Sequence, residues 1–153
     1  MTLQHEIKKR QPFASPRQEA ILNVWRTGDL AQNRFGKLFR KYGVTASQYN
    51  ILRILRGTGH PLPCLEIAGQ MIQAVPAITR LIDQLEKQGM ITRERSADDR
   101  RVVFVEITAK GRKVLKELDG PVNKLHDQLL EKLSDTEVRQ LSRLLEKARS
   151  GWG

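Results

Sequence analysis

A chain of 153 residues with 27 lysines and arginines against 17 acids carries a formal charge of +10, which favours a polyanionic partner, nucleic acid or an anionic membrane surface. The length suits one ordinary domain and excludes two large ones, and no apolar run nears the roughly 18 residues of a membrane span. With no apolar segment of a secretory signal near the N-terminus and Cys64 the single cysteine, a disulfide-stapled secreted protein is excluded and the cytoplasm is the expected compartment.

Residues 1–14, with the basic cluster Lys8, Lys9 and Arg10, read as a flexible arm. A helix start follows at "SPRQ", with Ser15 as N-cap, Pro16 at the first helical position and Gln18 completing a capping-box pattern. Ile21, Val24, Trp25, Ala31, Phe35, Leu38, Phe39 and Tyr42 recur at helical spacing up to Gly43. That stripe is longer than so little chain can cover, so residues 15–43 are expected to meet a partner subunit. "TASQ" repeats the start signal with Thr45 and Gln48, and Tyr49, Leu52 and Leu55 share a face before Gly57 and Gly59 end the second helix. A short third helix is predicted over 63–71 with Leu65, Ile67 and Ala68 inward. The fourth opens with Pro76 in its first turn, turns Ile78, Leu81, Ile82 and Leu85 to one side, and closes at Gly89.

The period changes after Gly89. "MITRER" and "RVVFVEI" flank the polar "SADD", the pattern of a hairpin. Thr108 caps the next helix, whose stripe is Leu115, Leu118, Val122, Leu125 and Leu129; Gly120-Pro121 is predicted to kink or break it. "SDTE", Ser134–Glu137, starts a last helix carrying Val138, Leu141, Leu144 and Leu145. The fold class is therefore mainly α with a small β-hairpin: a winged helix-turn-helix lobe over 44–108, with helices 15–43 and 109–150 left for dimerisation.

Such a lobe lays its last helix in the major groove, where every base pair shows a distinct pattern. The core face claims the apolar residues of the fourth helix. Gln73, Ala74, Ala77, Thr79 and Arg80 remain on its outer side, where small residues permit close approach and Arg80 suits guanine or phosphate. The alternative is that these are solvated helix residues.

"LIDQLEKQGMITRERSADDRRVVFVEITAKG" resembles the signature stretch of the MarR family of bacterial transcription regulators, and "GVTASQYNILRIL" resembles the second helix of those proteins. The resemblance implies an obligate homodimer whose two lobes meet successive major grooves of a pseudo-palindromic double-stranded DNA site, roughly 34 Å apart. It also implies that Arg101 is the wing arginine entering the minor groove and that Asp99 orients it. Arg93, Arg95 and Arg100 join the expected DNA contacts, although Arg100 and Asp98 also suit a solvated turn. Ser47, Gln48 and Arg53 are candidates for phosphate contacts from the second helix. Ala74 and Ala77 depart from the serine or threonine that relatives often carry, so an operator sequence cannot be transferred.

Many members of the family release DNA when a phenolic or aromatic carboxylate enters the cleft beside the dimer layer. Trp25, Arg26 and Tyr49 are the candidates for such a site; Trp25 in the dimer core and Arg26 on the surface is the competing reading. Peroxide-sensing members place a cysteine near the start of the first helix, where this chain has none, and Cys64 in "LPCLE" reads as a small core residue. His60 and Cys64 find no further metal ligand at suitable spacing. No cofactor motif occurs. Asp98-Asp99 sits among arginines that keep it ionised, a poor proton donor, and no catalytic constellation is read. The function expected is a sequence-specific regulator, a repressor in the first instance. An architectural DNA-binding protein with little sequence preference is the alternative.

Overall fold

The computed structural model describes residues 2–152. In chain order it holds α1 (Leu3–Glu6), α2 (Pro16–Arg40), α3 (Ala46–Thr58), β1 (Leu62–Pro63), α4 (Cys64–Gln70) and α5 (Ile78–Lys87). The hairpin strands β2 (Ile91–Arg95) and β3 (Val103–Ile107) follow, then α6 (Ala109–Leu130) and α7 (Asp135–Arg149). The fold is mainly helical with one small antiparallel sheet of order β1-β3-β2.

Local chemistry places the helix starts. Ser15 Oγ accepts the Gln18 N–H at 3.2 Å, while the Gln18 side chain accepts from Ala14 rather than from Ser15. Thr45 with Gln48 and Ser134 with Glu137 form complete capping boxes, each satisfying two amides that a bare helix end would leave open. Gly43 and Gly89 have φ of 76° and 71°, the left-handed backbone that glycine tolerates without a Cβ penalty.

The core sits inside the lobe. Ile51, Leu52 and Leu55 of α3 pack with Ile67 of α4, Ile82 and Leu85 of α5, Val105 of β3, and Leu115 and Leu118 of α6. Strands β2 and β3 pair from Ile91 opposite Ile107 to Arg95 opposite Val103. Outside this core lie apolar residues the chain does not cover: Ile21, Val24, Trp25 and Leu30 on α2, and Leu141 and Leu144 on α7, which contains no buried residue.

Five further details differ from what the sequence predicts. Residues before α2 are not wholly irregular, since α1 forms one turn with Leu3 buried and Glu6 facing Arg26 at 3.8 Å. Strand β1 pairs Leu62 with Val105 and Pro63 with Phe104; two residues give no alternation to read, and proline fits an edge because it has no N–H to donate. Leu65 is exposed rather than inward. Helix α5 starts at Ile78, so Gln73, Ala74, Pro76 and Ala77 precede it in the connecting turn. Finally, α6 runs unbroken through Pro121. Leu118 and Val122 are buried on either side of that proline, and their packing outweighs the one hydrogen bond its ring removes.

Candidate nucleic-acid interface

Helix α5 buries Ile82 and Leu85 and leaves Thr79, Arg80 and Lys87 exposed. Its N-cap is Ala77, which has no side-chain oxygen to offer, and no capping bond forms. The amides of Ile78 and Thr79 thus stay open beside Arg80, an arrangement that suits an anion because aligned N–H groups and the helix dipole both favour negative charge. The preceding turn brings Gln73, Ala74 and Ala77 to the surface alongside.

At the tip of the wing, Ser96 Oγ accepts the amides of Asp98 and Asp99 at 3.2 and 3.3 Å, and Ser96 N–H donates to the Val102 carbonyl at 3.0 Å. Asp99 Oδ1 accepts the Arg101 amide at 3.0 Å and lies 3.4 Å from Arg101 Nε. The acid is thereby fixed to the backbone of the residue whose head group it faces. The Arg101 side chain is 94% exposed, so its charge projects into solvent. Arg95 donates to the Arg100 carbonyl at 3.2 Å and braces the same tip.

Two expected DNA contacts have other work. Arg93 Nε donates to Glu86 at 2.9 Å and its Nη1 to Asp83 at 2.6 Å. Both carboxylates hold its guanidinium protonated, with Glu86 the larger influence. Two acids offset its charge, and the residue ties β2 to α5. Gln48 is only 4% exposed; its oxygen accepts the Thr45 amide at 2.9 Å, and its Nε2 approaches Gln84 at 3.4 Å. It joins α3 to α5 and is not available to a phosphate.

Ser47 and Arg53 instead line a cavity of about 430 Å³ between α2, α3, the turn before α5, and α6. Its wall is aromatic: Phe39 stacks on Tyr49 with centroids 4.3 Å apart, and Phe35 lies 5.9 Å from Phe39 and 5.2 Å from His126. Burial pushes the Tyr49 hydroxyl pKa up, partly opposed by Arg53 and Arg56. Of the three residues expected here, only Tyr49 lines the cavity. Trp25 is 68% exposed and Arg26 faces Glu6. Phe35 and Phe39 were visible in the sequence one helical turn apart, but that spacing could not separate a core stripe from a cavity wall. Burial also raises the Cys64 thiol pKa, the opposite of what a reactive thiolate requires.

Arg56 of α3 grips Asp119 of α6 with two hydrogen bonds of 2.9 and 2.8 Å, joining the lobe to the long helix. Those bonds hold the Asp119 carboxyl below its usual range. The pair therefore stabilises the fold above the ordinary carboxylate pKa, and the gain is lost as pH falls through the lowered native value. Arg56 and Asp119 are 33% and 45% exposed, so Asp119→Asn is expected to cost only about 0.5–1 kcal/mol at pH 7. Urea unfolding at pH 7 and in acid checks this: the difference from wild type should shrink as pH falls below the ordinary carboxylate range.

Three compact helices, a turn into an exposed helix and a charged hairpin define a winged helix-turn-helix protein. The sequence model of the MarR family matches residues 44–103. The crystal structure of a MarR transcription factor from Planctomyces limnophilus is 40% identical, with 88% of this chain and 98% of that one covered and a TM-score of 0.69. The chain belongs to the MarR family of transcription regulators. NadR, solved in complex with 4-hydroxyphenylacetate, is 25% identical over 92% of this chain and 99% of its own, at a TM-score of 0.70. A cysteine-to-serine mutant of MarR from E. coli, solved with operator DNA, shares the fold at 22% identity and a TM-score of 0.75, covering 97% of this chain and 99% of that one.

Proposed function

We propose that this protein is a repressor that binds double-stranded operator DNA as a homodimer and reads a pseudo-palindromic site. The observation that carries the reading is the wing tip, where Asp99 fixes the backbone and faces the head group of a fully projecting Arg101. A preorientated arginine loses less freedom on entering a narrow minor groove, whose negative potential rewards it. Arg80 and the open amides of α5 supply major-groove and phosphate contacts. The uncovered apolar faces of α2 and α7 supply the dimer layer, and the two-fold symmetry repeats the lobe one helical turn of DNA away.

The aromatic cavity is the effector site in this reading. A phenolic ring stacks on Tyr49 and Phe39, and a carboxylate meets Arg53; NadR supports that ligand class through its complex with 4-hydroxyphenylacetate. A ligand there touches both α2 and the turn before α5, so it favours one spacing of the lobes over another.

Selection from a genomic DNA pool tests the regulator reading: one inverted repeat is expected to emerge. If no motif emerges and affinity falls uniformly with salt, the protein is an architectural binder instead. Against the selected site, Arg101→Ala is expected to cost about 1–3 kcal/mol of binding with the oligomeric state unchanged. Unaltered affinity would remove the wing from the interface.

A further inference from the structure

The turn between α4 and α5, residues 71–77, carries Gln73, Ala74 and Ala77 and sets where α5 begins. Its backbone is almost untethered. Among the described residues, the bond from the Ile72 N–H to Asn50 Oδ1, at 2.8 Å, is the only hydrogen bond made by the backbone of residues 72–76. Asn50 is 8% exposed, and a buried polar side chain placed in α3 beside Ile51 and Leu52 needs such a partner to offset its lost hydration. Because the partner is an N–H group, the amide oxygen must face it. The amide nitrogen makes no hydrogen bond within the described chain. Asn50, Ile72 and Gln73 all line the aromatic cavity, so one side chain belongs to the cavity wall and to the support of the turn.

We propose that Asn50 is a positioning residue for DNA reading: it latches the turn to α3 and so fixes the entry of α5 into the groove. The role follows from what the turn lacks. With no second backbone bond over five residues, loss of this one frees the segment that presents Gln73 and Ala74, while the core that holds α3 stays closed behind it. This inference rests on the DNA-binding reading only for its consequence; the latch itself is a property of the free protein.

Hydrogen–deuterium exchange on the full chain tests the latch without DNA. Asn50→Ala is expected to speed exchange of the Ile72 amide, the one hydrogen-bonded N–H of the turn, at least tenfold while amides of α3 and α6 keep wild-type rates. Affinity for the selected site should fall about tenfold. Ile72→Pro deletes the same bond from its other partner, and Met71 already has φ −66° and ψ 136°, which a following proline accepts; it should weaken DNA binding to the same extent. Asn50→Asp keeps an acceptor and should restore both the protection and the affinity. Exchange that rises evenly across α3, α5 and α6 would make Asn50 an ordinary core residue and overturn the proposal, as would wild-type affinity in both Asn50→Ala and Ile72→Pro. Local exchange in a protein that selects no DNA sequence would keep the latch and overturn the regulator reading instead.

Discussion

Gly111→Ala is expected to destabilise the protein by about 2–3 kcal/mol, the range in which forced overpacking falls, and to lower the thermal midpoint by about 5 °C or more. A Cβ at this position presses on the Met90 carbonyl oxygen and comes within 2.8 Å of Ile107 Cγ1. Neither neighbour is free to give way. The Met90 carbonyl accepts the Thr108 amide at 3.0 Å, and Thr108 Oγ1 both donates to the Gly89 carbonyl at 2.7 Å and accepts the Gly111 amide at 3.2 Å. Lys110 Nζ adds a bond of 2.6 Å to the Gln88 carbonyl. The start of α6 is thus stapled to the bend between α5 and β2, the joint from which the wing springs. Urea and thermal unfolding measure the cost, and a wild-type midpoint would show that the joint has slack the geometry does not reveal. Substitution at Gly57, an exposed position of α3 whose Cβ would meet nothing within 4 Å, serves as the control for loss of glycine alone.

Deletion of residues 135–153 is expected to abolish the proposed dimer and, with it, tight binding to a two-fold site. Helix α7 buries none of its residues within its own protomer, and Leu141 and Leu144 are exposed. A helix of this length has little stability alone in water, so its apolar face calls for a second copy of the chain. Sedimentation of the full-length protein should give a dimer whose thermal midpoint rises with concentration, because association stabilises by mass action. The shortened chain should lose both properties. Its winged lobe has a core of its own in α3, α4, α5 and β3, so residual weak, sequence-independent DNA binding is expected to remain. A shortened chain that stays dimeric with unchanged affinity would place the dimer layer elsewhere.

Much of this protein is legible in its sequence. Helix starts at Ser15, Thr45, Thr108 and Ser134 were readable because capping is decided within four residues. The fold class followed from the switch between helical and strand periods, and the Asp99–Arg101 pair from its spacing and resemblance, because a hairpin tip is a local structure. What the sequence could not settle were questions of competition among distant partners. Arg93 looks like any other wing arginine until Asp83 and Glu86 are seen to surround it, and Gln48 looks like a surface amide until α5 packs over it. Trp25 and Tyr49 have equal claims on a ligand as letters, but only the packing of α2 against α3 and α6 puts Tyr49 on the cavity wall and leaves Trp25 outside. Pro121 is a breaker by propensity, and burial on both sides overrides it. Apart from α1 and β1, the sequence alone therefore determined the elements, their order and the wing tip, because those depend on near neighbours in the chain. Which charges stay free, where α5 begins and what the cavity is lined with were decided by the tertiary structure, because each depends on residues tens of positions apart reaching the same place.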